Sequence, residues 1–580
     1  MSARYYQDEL RYLREMGREF AQQHPEVAPL LLEAGSDPSV ERLLEGFAFL
    51  TARIREKLDD ELPEFTIALL EAMLPHLLRP VPSLTILQLQ PLAKAFNEIT
   101  RVPRGAVVDS LPVDGTRCRF TTTAPLEVVP LKVESVALRN EAPPRLIVRL
   151  GLLQGTSVAR LGLTRLRLHL GGDEMVARQL LACFGAYLKE LRVEVESANG
   201  ERRSLTLPPG SLRVAGFAAD EAVLADEASG YRGFNVLHEY FAFPEKFLFV
   251  EIRGLDRVPL LAGAAHFSLV VVLDRLPEGM PTPTPEHLLL NCVPAVNRFA
   301  HDADPIRVDH EAVEYRIRPE GRERTHFDIY DVTSVTGVGA AGEQERVFQP
   351  LFHYAARMGL TQDFYAVRPH PALGGRLTDH FVSLVQVAGA AATPLTLSLR
   401  LRCTNATLPE ALGPGDIATH GEGIPAGLKV RNLTKPSAPI PAPLGDDLHW
   451  RLLGHLNVNL SSLAGVEALR GLLATYNFAA RHNRKELQAF SRLLDGIRSV
   501  VTRREKRLFD GAMITGVAVE VGLDEDHFAS TGDLYLFGCV LDELFSQFVS
   551  LNAFKRLTVR GTRYGEIFAW PARIGHRQLL

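Results

Sequence analysis

Gly337, Gly339 and Gly342 have the G-x-G-x-x-G spacing of a dinucleotide-binding turn, and the run 329–335 before them reads as a strand. A nucleotide site of that kind needs its third glycine to open a helix whose N-terminal amides hold the pyrophosphate. A helix over 343–358 and an acidic residue at Asp363 would occupy the required places. The residues ahead of Asp363, however, are Gly359, Leu360, Thr361 and Gln362, which make no second buried strand. A flexible loop between β segments is the simpler reading, and no cofactor is assigned.

His301, Asp302, Asp304, Asp309 and His310 are all of metal-ligating type. Their spacing fits neither a zinc nor a calcium loop, and a strand over 305–308 would send alternate side chains to opposite faces. A solvated strand end is the expectation, with no metal. Asp524, Glu525, Asp526 and His527 read as the acidic first turn of a short helix, favoured by its dipole. G-x-S-x-G, S-x-x-K, H-E-x-x-H and the P-loop are all missing from the sequence, so no catalytic residue is assigned. Paired carboxylates far apart in the chain keep one alternative open, a cytoplasmic hydrolase or glycan-active enzyme with the β segments as scaffold. Cys118, Cys183, Cys292, Cys403 and Cys539 are dispersed and odd in number, as buried reduced thiols would be. The run Arg503-Arg504-Glu505-Lys506-Arg507 could touch phosphate, but a short mixed-charge stretch is more often a solvated edge or a protein contact.

The elements that must position these residues belong to a chain of 580 residues, too long for one core and expected to divide into about three to five domains. With 46% hydrophobic and 23% charged residues it has a globular composition, and its net charge of −5 advertises no broad basic face for nucleic acid. The opening MSARYYQDELRYLREMGREF lacks the apolar stretch of a signal peptide. The longest apolar run, 258–273, is interrupted by Gly263, His266 and Ser268 and is shorter than the roughly 20 residues of a membrane helix. The expectation is a cytoplasmic protein with no membrane insertion.

The expected fold class is α+β and multidomain. An N-terminal helical bundle segment takes 1–82, and a β-rich domain with an inserted helix near 173–189 takes 83–285. A second β-rich domain takes 286–443 and a C-terminal α+β domain 444–580. Short β-rich runs at 84–89, 126–129, 145–150, 165–170, 191–196, 247–252 and 395–401 suggest sandwich- or barrel-like architecture. The stretches 281–285 and 433–443 look like connectors. In the last domain, helices over 462–476, from Asn483 and over 534–551 alternate with strands over 497–503, 513–521, 556–559 and 567–570.

In the first segment, Tyr6, Leu10, Leu13 and Phe20 fall on one helical stripe. After the Asp37-Pro38 cap, Val40, Leu43, Phe47, Leu50 and Ile54 recur at steps of three and four between charged residues. That is the form of a bundle or coiled-coil seam, narrower than the face of a helix closed into its own domain. These nine residues are the candidate partner interface.

Several longer segments carry a resemblance. They include Tyr5-Tyr6-x-x-Glu9-Leu10-x-x-Leu13, Asp37-Pro38-Ser-Val-Glu41-Arg42-Leu43-Leu44 and Pro75-His76. Further on come Glu239-Tyr240-Phe-Ala-Phe-Pro244-Glu245-Lys246-Phe247, Val293-Pro294-x-x-Asn297-x-Phe299, Asp304-Pro305-Ile306 and Cys403-Thr404-Asn405-x-x-Leu408-Pro409. The last are Trp450 to Leu460, Leu534 to Leu541, and Trp570-Pro571…Gly575…Leu579-Leu580. Together, and in order along the whole chain, they resemble the TssF (ImpG/VasA) family of type VI secretion baseplate proteins. Thr515-Gly516 departs from an Arg-Gly pair common in that family. The resemblance implies a cytoplasmic, non-enzymatic wedge subunit of a contractile injection machine, docked at the inner-membrane complex through partners. A second copy of the chain would combine with one TssG, and the assembly would engage TssK and TssE around a VgrG hub. It also implies kinship with wedge proteins of contractile phage tails, where helices of three chains form a bundle. Such a bundle would complete the two stripes.

Overall fold

The computed structural model describes residues 6–7, 10–11, 13, 38–59, 63–92, 98–154, 158–196, 202–224, 230–261, 264–321, 323–339, 345–351, 363–371, 378–385, 394–443, 448–456, 458, 460–509 and 511–575. Two compact units divide the chain between Leu69 and Leu70. Up to Leu78 the regular structure among the described residues is helical, with helices Pro38–Asp59 and Pro63–Met73 and a 3-10 turn Pro75–Leu78. All three begin on proline, which is tolerated in a first turn because its missing N–H would have no helical acceptor there.

The second unit is built mainly from sheets. One has six strands in the order Ile417–His420, Val107–Val113, Thr116–Thr122, Cys292–Val296, Leu84–Pro91 and Leu428–Asn432. Leu87 stands opposite Val293 on one side and Asn432 on the other, both pairings antiparallel. Strands from either side of the 281–285 connector therefore share this sheet, and its core joins Leu87, Phe120, Val293, Ile417 and Val430. Two smaller sheets of five and four strands, drawn from 131–290, flank the Glu174–Gly185 helix in sequence. Asp173 caps that helix, accepting from the Met175 and Val176 amides at 3.0 and 3.2 Å. It stops at Gly185, because Leu188 already opens the next strand.

An eight-stranded sheet centres on Leu395–Thr404, which alternates buried and exposed residues from Leu395 to Leu401 and so presents one face to a core. Val335, Phe348, Val382 and Leu397 fill that core.

The C-terminal sheet begins with a long hairpin, Ile497–Phe509 and Ala512–Leu523. Ala553–Gly561 then pairs parallel to the second strand. A parallel pair requires a crossover, and the Thr531–Ser546 helix supplies it, capped by Ser530 and buried along nearly its whole length. Ile497–Phe509 is left as the edge of this sheet. No helix of the described residues is long and apolar enough to cross a membrane.

Candidate interaction surface

Leu43, Phe47 and Leu50 are spaced four and three residues apart on the Pro38–Asp59 helix, so they share one side of it. They are 75%, 59% and 58% exposed, whereas Ala48 and Ala52 on another side are fully buried. A surface helix normally turns its large apolar side chains inwards and leaves small or polar ones outside. Here the alanines are inside. Removing side chains of this size from water contributes roughly 1.5–3 kcal/mol each, so this face has much to gain from a cover.

Of the other candidate interface residues, Tyr6, Leu10 and Leu13 are half-buried at helical positions. Val40 and Ile54 lie on the Pro38–Asp59 helix by backbone position, and Phe20 and the Asp37 cap fall outside the described residues. Phe49 is also exposed, away from the stripe, and sequence reasoning missed it. The signal for it was the Ala48/Ala52 pair, a stripe of small residues that takes the buried side and leaves neighbouring large side chains outside.

The chemical candidates take structural places. Gly337 lies within the Asp328–Val338 strand, and Arg346–Pro350 is a second strand paired beside it, with Thr336 opposite Val347. The helix over 343–358 that a nucleotide site would need is not formed where the chain is described, and Gly339 and Gly342 lie in sequence between these two paired strands. Pro350 explains the outcome, since it would clash and lack an amide inside such a helix. A Cβ on Gly337 would come within 2.9 Å of the Phe348 ring, so this glycine serves strand packing. His301 Nε2 donates to the Glu320 carbonyl at 2.8 Å, and its ring stacks on Phe327. Asp309 accepts from the Tyr315 hydroxyl at 2.9 Å. Among the described residues no three or more His, Cys, Asp or Glu gather as a metal site. Asp524 caps the 3-10 turn Glu525–His527 and pairs with Arg498 and Arg563, tying strand ends together. All five cysteines are buried and unpaired. Burial pushes the Cys118 thiol up to about 11 and Cys183 and Cys539 up to about 12, the opposite of an activated nucleophile.

The segments singled out in the sequence meet one another in space. Asn297 Nδ2 donates to the Arg119 carbonyl and to Asn405 Oδ1, both at 2.8 Å, and the Asn405 amide donates back to Asn297 Oδ1 at 2.7 Å. The Val293–Phe299 and Cys403–Pro409 segments are locked together by these bonds. Glu239 accepts from the Val223 and Leu224 amides at 2.7 and 2.8 Å and pairs with buried Lys246 of its own segment. Gly538 leaves room for Trp570, whose ring a Cβ there would meet at 2.2 Å. His455 stacks on Tyr476.

A family model described as "Type VI secretion system, TssF" matches residues 2–577. The chain belongs to the TssF family. It is 33% identical over 632 residues to the type VI secretion system component TssF1 of Pseudomonas aeruginosa, across 99% of this chain and 98% of that one. Its fold is similar to a chain of a TssK-TssF-TssG baseplate subcomplex, with a TM-score of 0.76 and 31% identity over 93% of this chain and all of the other. A second neighbour, from a type VI secretion baseplate complex, has a TM-score of 0.64 and 27% identity with both chains fully covered. These TssF-family relatives are structural components of the secretion machine, and they give the hydrolase alternative no support.

Proposed function

We propose that this TssF-family chain is a structural subunit of the type VI secretion baseplate wedge, working in the cytoplasm beside TssG and TssK. The observation that carries this reading is the match over the full length, in sequence and in fold, to a chain of a TssK-TssF-TssG baseplate subcomplex. A second copy of the chain, TssE and a VgrG hub complete the proposed assembly, on the family resemblance alone, as does docking at the inner membrane through partners. The exposed face of Leu43, Phe47 and Leu50, extended by Val40 and Ile54 and joined by the Tyr6, Leu10, Leu13 and Phe20 stripe, is the proposed seam with the other chains. Baseplate firing is then mechanical, a rearrangement of bistable interfaces with no chemical step.

The test is a charge on the seam. Leu43 and Phe47 are mostly in water, so Leu43→Glu or Phe47→Glu should change stability by no more than about 0.5 kcal/mol. Each should nevertheless abolish copurification with TssG. Retention of TssG by both folded variants would overturn the seam, while loss of TssG, TssK and the second copy from the unmodified chain's pulldown would overturn the baseplate reading.

A further inference from the structure

The hairpin of Ile497–Phe509 and Ala512–Leu523 carries large apolar side chains outwards at its far end. Leu508 and Met513 face each other across it and are 71% and 69% exposed. Ile497–Phe509 is also the edge strand of its sheet, 13 residues long. Among the described residues, no backbone hydrogen bond from 498–509 reaches beyond the hairpin partner. Along the outer side, alternate residues therefore offer N–H and C=O groups to water.

The charge on this edge is one-sided. Arg503, Arg504 and Lys506 are exposed and have no ion-pair partner among the described residues. Glu505 is already taken by Arg507 and Arg556. Arg504, Lys506 and Leu508 alternate onto one face, with Thr515 and Met513 opposite the last two.

We propose that this edge receives an extended acidic segment of a partner subunit, added to the sheet as a further strand. Its amides would pair with the open backbone of 502–508, its carboxylates on one face with Arg504 and Lys506, and an apolar side chain on that same face would cover Leu508 and Met513. Charge selects this occupant. A second copy of the same strand would set arginine against arginine, and cations on an edge are a known guard against such self-pairing. An acidic strand meets no such barrier. Single-stranded nucleic acid would want aromatic platforms beside the cations, whereas Phe509 packs against Phe554. The proposal supposes an assembly but not the helical seam, which lies in the other unit, so each can fail alone.

The experiment titrates the full-length chain into a fluorescent seven-residue peptide whose alternate positions carry two glutamates and then a valine, with threonine between them, read by anisotropy at low salt. Three comparisons accompany it: the lysine counterpart, the acidic peptide N-methylated on alternate amides, and a single-stranded oligonucleotide. The acidic peptide should bind at least about tenfold more tightly than each of the three, and R504E/K506E should lose about tenfold. Equal binding of the N-methylated peptide would overturn strand addition without any change to the protein. Equal or tighter binding of the oligonucleotide, unchanged affinity in R504E/K506E, or a dimer of the chain that this variant dissolves would overturn the proposed occupant. Both substituted side chains point to solvent, and a thermal melt of the variant overlying that of the parent confirms that the loss is one of contact.

Discussion

Glu239 and Lys246 are each 2% exposed, and each has the other as its ion-pair partner. Two buried charges survive only as a pair with their remaining hydrogen bonds filled, and Glu239 fills its own with two backbone amides. Glu239→Ala should therefore destabilise the chain by about 3–5 kcal/mol, visible as a lowered thermal midpoint. Replacing both residues by apolar ones of similar size should recover most of that loss. If the double variant is as unstable as the single, the pair holds more than its own charge. Asp328 behaves differently, because burial raises its carboxyl to about 7 while the Thr378 amide only partly offsets this. The unfolded carboxyl releases its proton near about 3.9, so between there and about 7 the folded state holds a proton that the unfolded state lacks. Stability falls as pH rises through that window. Asp328→Asn should raise the melting temperature at pH 8 and barely change it at pH 4. Equal shifts at both pH values would remove the buried proton from the account.

The elements show what a sequence pattern can and cannot carry. The inserted helix, which ends at Gly185 and not at 189, the helix capped by Asn483 and the strand Leu395–Thr404 were legible because period and cap residue depend on neighbours in the chain. The stripe on Pro38–Asp59 was legible as a stripe, but whether it faced inwards was not. That depends on what packs against Ala48 and Ala52, which are small enough to leave no mark on periodicity. The glycines at 337–342 were legible as a connection between β segments, whereas the strand Arg346–Pro350 that follows them was not, because its pairing with Asp328–Val338 leaves no local mark. The departure at Thr515-Gly516 divides in the same way. Thr515 is exposed opposite Lys506, while a Cβ at Gly516 would stand 2.2 Å from the Phe554 carbonyl oxygen of the adjoining strand. Backbone cannot swing aside as a side chain can, so Gly516→Ala should cost about 1–3 kcal/mol in a denaturant melt. A melt identical to the parent would mean that the two strands separate without penalty.

At the scale of the second unit, chain order and sheet order diverge. Leu84–Pro91 sits between Cys292–Val296 and Leu428–Asn432, so both its neighbours lie beyond residue 285. No local signal announces such pairing, since strand patterns identify strands and not their partners. A fragment of residues 83–285 should therefore aggregate or stay sensitive to protease, because Leu87 and Leu89 would have no sheet to close over them. A soluble fragment with one cooperative unfolding transition would show that this part folds unaided.

The same interleaving sets a schedule for synthesis. Leu84–Pro91 leaves the ribosome roughly 340 residues before Leu428–Asn432, which at about 5–20 residues per second is on the order of twenty seconds to a minute. Throughout that wait Leu87 and Leu89, both fully buried in the finished protein, lack the strand that pairs with them on that side. Slower translation lengthens that exposure.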